Sequence, residues 1–149
     1  MKNLTDILKL LSDEHRLRTL MLLNTMELSV CQIMGIIGSS QSLTSRNLSL
    51  LYRGGFLDER RDGKLRYYSI RRDLSEDKKA VLALLRTMVK SDKKYKEDLL
   101  TLKECTEFQK KTGKCDMKTL QEFMRIKKKD KQIRDQKNQS IIQAQYDLC

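Results

Sequence analysis

The sequence predicts a mostly α-helical fold carrying one small β-hairpin, and three observations lead there. Apolar residues recur at three- and four-residue spacing along most of the 149 positions, the period of a helix with one buried face. There is no proline and there are only 6 glycines, so little interrupts a hydrogen-bond ladder inside those stretches. The period changes once, where Phe56–Arg60 and Leu65–Ile70 flank Arg61-Asp62-Gly63-Lys64. Asp-Gly between two β-compatible runs is a strong hairpin signal, because a tight primed turn needs residues that tolerate positive φ.

The elements follow in order. Leu4, Ile7, Leu8, Leu10 and Leu11 mark a first amphipathic helix, and Ser12-Asp13 caps a second that runs from Arg16 to Asn24 with Leu17, Leu20, Met21, Leu22 and Leu23. The chain restarts at Glu27-Leu28-Ser29. Ser29 caps a short helix carrying Val30, Ile33, Met34, Ile36 and Ile37, and Gly38 stops it. Ser39-Ser40 caps the next, from about Gln41 to Arg53, polar in its first half and apolar in its second, with Gly54-Gly55 at its end. Two helices joined by a tight glycine-containing turn make a helix-turn-helix, and the hairpin behind it makes a winged helix. A long helix is expected from Ser75 to Leu102, with an apolar stripe wider than one small core needs, which implies a partner chain. Another helix is expected from the Asp116 cap through Met117, Leu120, Phe123 and Ile126, running into a solvated lysine run expected to fray. The organisation is therefore a winged-helix DNA-binding and dimerisation domain over residues 1–103 and a lysine-rich, cysteine-containing extension over 104–149.

Charge points to the partner. Lys and Arg number 31 against 20 Asp and Glu, a net charge of +11, so a polyanion is the expected ligand and double-stranded DNA the first candidate. No apolar run reaches the length of a membrane span or forms a leader, so a cytoplasmic protein without a membrane partner is expected. One histidine, no glycine-rich phosphate loop and no spaced Ser/His/Asp set argue against an enzyme. On the polar half of the recognition helix, Arg46 suits guanine or phosphate, Gln41 and Asn47 suit adenine, and Ser40, Ser42, Thr44 and Ser45 suit phosphate oxygens or a thymine methyl. Arg60, Arg61, Lys64 and Arg66 on the wing are expected to grip backbone beside the groove.

The stretches LSDEHRLRTLMLL, ELSVCQIM and SSQSLTSRNLSLLYRGGFLDERRDGKLRYYSI resemble the ArsR/SmtB family of bacterial metal- and redox-responsive transcriptional repressors. The likeness covers about the first hundred residues, and Ser-Gln-x-x-x-Ser-Arg-x-Leu-x-x-Leu at Ser40–Leu51 is its most specific part. It implies a homodimer paired through its first and last core helices, seated on a pseudo-palindromic operator and released by an inducer. The family's recognition helix usually has histidine where this chain has Asn47, a departure expected to alter base preference and not docking.

Many members that sense soft metals carry Cys-Val-Cys in the first helix of the motif; here the matching stretch is Ser29-Val30-Cys31, followed by Gln32 where the family usually has Asp. Zinc- and nickel-sensing members use Asp and His on the last dimerisation helix. This chain's single histidine, His15, lies elsewhere and is expected to pack or cap. Cys31, Cys105, Cys115 and Cys149 remain. Thiolates of Cys31, Cys105 and Cys115 would suit arsenite, antimonite or another soft metal ion as inducer, with no obligatory cofactor, if the extension folds back on the helix-turn-helix. Lysines flanking Cys105 and Cys115 favour the thiolate. Alternatives are redox or persulfide sensing through Cys31 and Cys105, or a protein-interaction module without an inducer. Cys149 reads as a spectator. The seven methionines read as core filler at helical spacing.

Overall fold

The computed structural model describes residues 1–114 and 116–148. It is mostly helical around a small antiparallel sheet, in the order α1 (Lys2–Leu11), α2 (Glu14–Leu23), β1 (Leu28–Ser29), α3 (Val30–Ile37), α4 (Gln41–Arg53), β2 (Leu57–Asp62), β3 (Leu65–Ile70), α5 (Glu76–Val89), α6 (Lys93–Thr112) and α7 (Met117–Asp147). Cys115 and Cys149 lie outside the described residues.

Local chemistry sets most boundaries. The Asp13 carboxylate accepts from the Arg16 amide at 2.9 Å and starts α2. At α3 the Ser29 hydroxyl accepts from the Gln32 amide at 3.2 Å while the Gln32 carbonyl oxygen accepts from the Ser29 amide at 2.8 Å, a reciprocal cap that satisfies two otherwise orphaned donors. The wing turns through Gly63 at φ +58°, where a side chain would be strained, and Asp62 faces Leu65 across the turn. Leu28 pairs with Tyr68, which adds β1 to the free side of β3 in the order β1–β3–β2. Two residues are too few to show a period, so this strand left no mark in the sequence.

The core lies between α2, α3, α4 and the sheet, where Leu20, Leu22, Leu28, Ile33, Leu48, Leu51 and Phe56 are fully buried. Two features extend it outward. Arg18 of α2 donates through Nε and Nη2 to both oxygens of Asp98 on α6, each at 2.8 Å, with both side chains nearly enclosed. Phe108 of α6 meets Phe123 of α7 at 5.6 Å between ring centres. Gly35 is where α7 closes on α3: a Cβ there would stand 2.4 Å from Leu120 Cδ1.

The structure departs from the sequence reading after the wing. One helix was expected over Ser75–Leu102, but the chain breaks between Val89 and Lys93. The reason is Asp92, whose carboxylate accepts from the Tyr95 amide at 2.8 Å and begins a new helix. The second helix then runs through Lys103 to Thr112, so the boundary drawn at residue 103 falls inside α6. The lysine run after Ile126 is helical. It belongs to α7, a 31-residue helix that is exposed at every residue from 128 to 147. Among the described residues, no helix is long and apolar enough to cross a membrane.

Candidate nucleic-acid interface

The amino end of α4 projects from the core with a divided surface. Ser40 caps it, its hydroxyl accepting from the Leu43 amide at 3.2 Å. Ser40, Gln41, Ser42, Ser45 and Arg46 are exposed. Thr44 and Asn47 are not: they are only 2% and 4% exposed, and with Leu48 and Leu51 they form the inward stripe of the helix. The Thr44 hydroxyl shares a 2.6 Å hydrogen bond with that of Ser39 at the preceding turn. This corrects the expectation that both would face a groove. Spacing decides it, because 44, 47, 48 and 51 follow the helical repeat of a buried face. The asparagine in place of the family's usual histidine is therefore a packing matter.

On the wing, Arg61, Lys64 and Arg66 are exposed. Glu59 sits between two of them, 3.7 Å from Arg61 and 3.8 Å from Arg66, and also accepts from the Tyr68 hydroxyl at 3.2 Å. Burial and this neighbouring carboxylate together raise the Tyr68 phenol above its ordinary range. Arg60 is exposed as well and has partners of its own. It donates to Glu27 at 2.7 Å and its guanidinium lies 4.6 Å from the centre of the Tyr67 ring. That hydrogen bond holds the Glu27 carboxyl below the usual carboxylate range. The pair ties β2 to the loop before β1 and orients the wing.

Behind this surface lies a cleft of about 550 Å³. Cys31 and Met34 of α3 line it on one side, Gln41 and Ser45 of α4 on another, Lys64 at the wing tip on a third, and Met117 closes it at the start of α7. Cys31 is half-buried, with its Sγ 3.6 Å from Met117 Sδ. Cys105 is fully buried within the hydrophobic core. Its helix packs on that of Cys31: the Gln32 amide group donates to Gln109 Oε1 at 2.8 Å, joining the residue after Cys31 to the residue one turn beyond Cys105. The extension thus folds back on the helix-turn-helix through α6 and α7. Cys115, the third expected thiol, is outside the described residues. Met34 and Met117 were read as core filler; Met34 is buried, at 6% exposed, and both also line the cleft. The signal for Met117 was its place immediately after the Asp116 cap, where a side chain has no preceding helical turn to pack on.

Residues 13–59, from the cap of α2 to the middle of β2, match the family model described as bacterial regulatory protein, arsR family. A solved structure of HlyU from Vibrio cholerae is 30% identical, with 58% of this chain covering 88% of that one at a TM-score of 0.52. The chain belongs to the ArsR family. A homodimeric winged helix-turn-helix DNA-binding domain from Mycobacterium bovis also matches, at 29% identity and a TM-score of 0.51, over 62% of this chain and 82% of that one. Among curated relatives, the cadmium resistance regulator CadC of Listeria innocua is 45% identical over 64 residues, 42% of this chain and 54% of that protein. The arsenic resistance regulator ArsR2 of Pseudomonas putida is 41% identical over 70 residues, 46% of this chain and 61% of that protein. The chain thus spans little more than half the length of the curated ArsR-family relatives it matches, and these are named as transcriptional regulators, not as enzymes.

Proposed function

We propose that this ArsR-family protein is a homodimeric, sequence-specific DNA-binding repressor that leaves its operator when a thiol-reactive effector, arsenite, antimonite or another soft metal ion, binds it. One observation carries the reading: Gln41, Ser42, Ser45 and Arg46 of α4 are exposed, and Gln41 and Ser45 share a cleft with the exposed Lys64 and Arg66 of the wing. A helix presenting short polar groups and one arginine at its amino end fits a major groove. Wing cations and the positive end of the α4 dipole suit the flanking phosphates.

What α1 and α5 leave uncovered supports dimerisation. Leu4 and Leu8 on α1 and Leu84 and Met88 on α5 are about half exposed or more, and Asn3 of α1 hydrogen-bonds Asp77 of α5. Two such subunits would set their recognition helices about 34 Å apart, the spacing of successive major grooves. Residues 1–103 would read and pair, and residues 104–149 would complete the sensor, joined to the reader by the unbroken α6.

The donor chemistry fits a soft effector. Cys31 opens into the cleft beside α4, Cys105 lies on the helix packed against it, and Cys115 adds a third thiol in the sequence between α6 and α7. Thiolates select soft, polarizable ions over hard ones. Effector binding would pull α3, α6 and α7 together next to Gln41 and Ser45. A coupling of about 1–3 kcal/mol between the sites moves operator occupancy substantially.

The test is Arg46→Ala in an electrophoretic shift at fixed salt. We expect specific operator affinity to fall by roughly 5- to 150-fold, as about 1–3 kcal/mol per bidentate base contact dictates, with the dimer intact. Wild-type affinity in that variant would remove α4 from the groove.

A further inference from the structure

We propose that the cleft is a binding site for a soft monovalent cation of the copper(I) or silver(I) class, held by Cys31 Sγ, Met117 Sδ and Met34 Sδ. The inference rests on the reading of Cys31 as the effector thiol, and adds two ligands and an ion class to it.

Geometry comes first. Cys31 Sγ and Met117 Sδ approach to 3.6 Å although they sit on helices far apart in sequence. Two sulfurs that share one cation at about 2.3 Å stand about 3.8 Å apart in a tetrahedral arrangement and about 4.0 Å in a trigonal one. The observed pair therefore needs to open by a few tenths of an ångström for an ion of copper(I) size, and further for the larger silver(I). Met34 is the third residue after Cys31, on the same face of α3, and lines the same cleft.

The donor set then selects the ion. A thioether is neutral and soft, and carries no proton to exchange. It cannot displace hydroxide from arsenite as a thiol does, and it is a poor partner for zinc, whereas copper(I) and silver(I) accept it. Binding releases one proton: Cys31–SH and M⁺ give Cys31–S–M and H⁺. The product is uncharged. That suits a cleft whose other walls include Lys64 and Arg66 and whose carboxylate, Asp116, already accepts from the Thr119 amide at 2.8 Å. A dication with the same donors would add a further positive charge to a cleft whose wall already sets Lys64 and Arg66 against the single carboxylate of Asp116.

The test is silver(I) titration of the fully reduced, full-length protein under argon, alongside Met117→Leu, Met34→Leu and Cys31→Ser. We expect one ion at this site, with the ε-methyl resonances of Met34 and Met117 shifting on binding while the other five methionines stay in place. Each leucine variant keeps the apolar volume and should weaken silver(I) at least tenfold, yet leave arsenite- and cadmium-induced release from operator DNA unchanged. Cys31→Ser should abolish both. Methyl resonances of Met34 and Met117 that ignore silver(I), or leucine variants that bind it as tightly as wild type, would overturn the site. Should Cys31→Ser respond to arsenite and cadmium like wild type, the effector-thiol reading falls instead, and this inference with it.

Discussion

At the scale of single residues, charged side chains fix the geometry from opposite directions. Arg18 and Asp98 are almost fully enclosed and meet through two 2.8 Å hydrogen bonds, and that contact raises the arginine further above its already high range. A buried pair of this kind contributes little over an apolar substitute, but losing one partner strands the other. Asp98→Ala should therefore lower stability by about 3 kcal/mol, the lower end for breaking such a pair because Glu14 stands 4.0 Å from Arg18. Urea unfolding will show a reduced midpoint with an unchanged slope, and Asp98→Asn should fall between. Glu27 and Arg60 are the surface counterpart. The glutamate is held below its ordinary value, so its stabilisation is present above that value and is lost as pH falls through the lower, folded-state one. Glu27→Gln should melt below wild type at neutral pH, and the two curves should converge in acid, once the glutamate is protonated in the folded state. A gap that persists in acid would mean that the pair contributes through shape alone.

Among the elements, what the sequence revealed and what it hid have separate physical causes. The caps at Asp13, Ser29, Ser40 and Asp116 were readable, because a short polar side chain before an apolar period has one local use. Asp92 was missed for a related reason: the apolar period runs across it from Leu85 to Leu99, and continuity masked the cap. The length of α7 was hidden too. Its exposed half carries Lys127–Lys129 and few core contacts, which resembles a solvated tail until coordinates show an unbroken helix. The site divided along the same lines. The exposed face of α4 was legible from residue type, but Thr44 and Asn47 share that chemistry and differ only in direction, which their spacing from Leu48 and Leu51 encodes. The cleft was legible only as a condition, since it requires the extension to return to α3, which α7 does. That return rests on Gly35 beside Leu120 and on Phe108 against Phe123.

For the molecule as a whole, the proposed reading of an operator requires a second copy, and the face that would seat it can be separated from other exposed apolar groups. Asp77, Leu84 and Met88 recur seven and four residues apart, so they share the side of α5 that meets α1 at Asn3. Leu84 and Met88 are 60% and 66% exposed, and Leu4 and Leu8 continue the apolar surface on α1. Leu100 is as exposed, at 63%, but stands on α6. An aspartate buried in an interface without a partner costs several kcal/mol, enough to dissociate a dimer of moderate affinity. Leu84→Asp should therefore sediment as a monomer, while Leu100→Asp stays dimeric. Without the partner each half-site binds on its own, and loss of effective concentration should lower operator affinity at least a hundredfold. Dimer retained by Leu84→Asp and lost by Leu100→Asp would move the pairing surface to α6, and the spacing of the two recognition helices would follow from that helix instead.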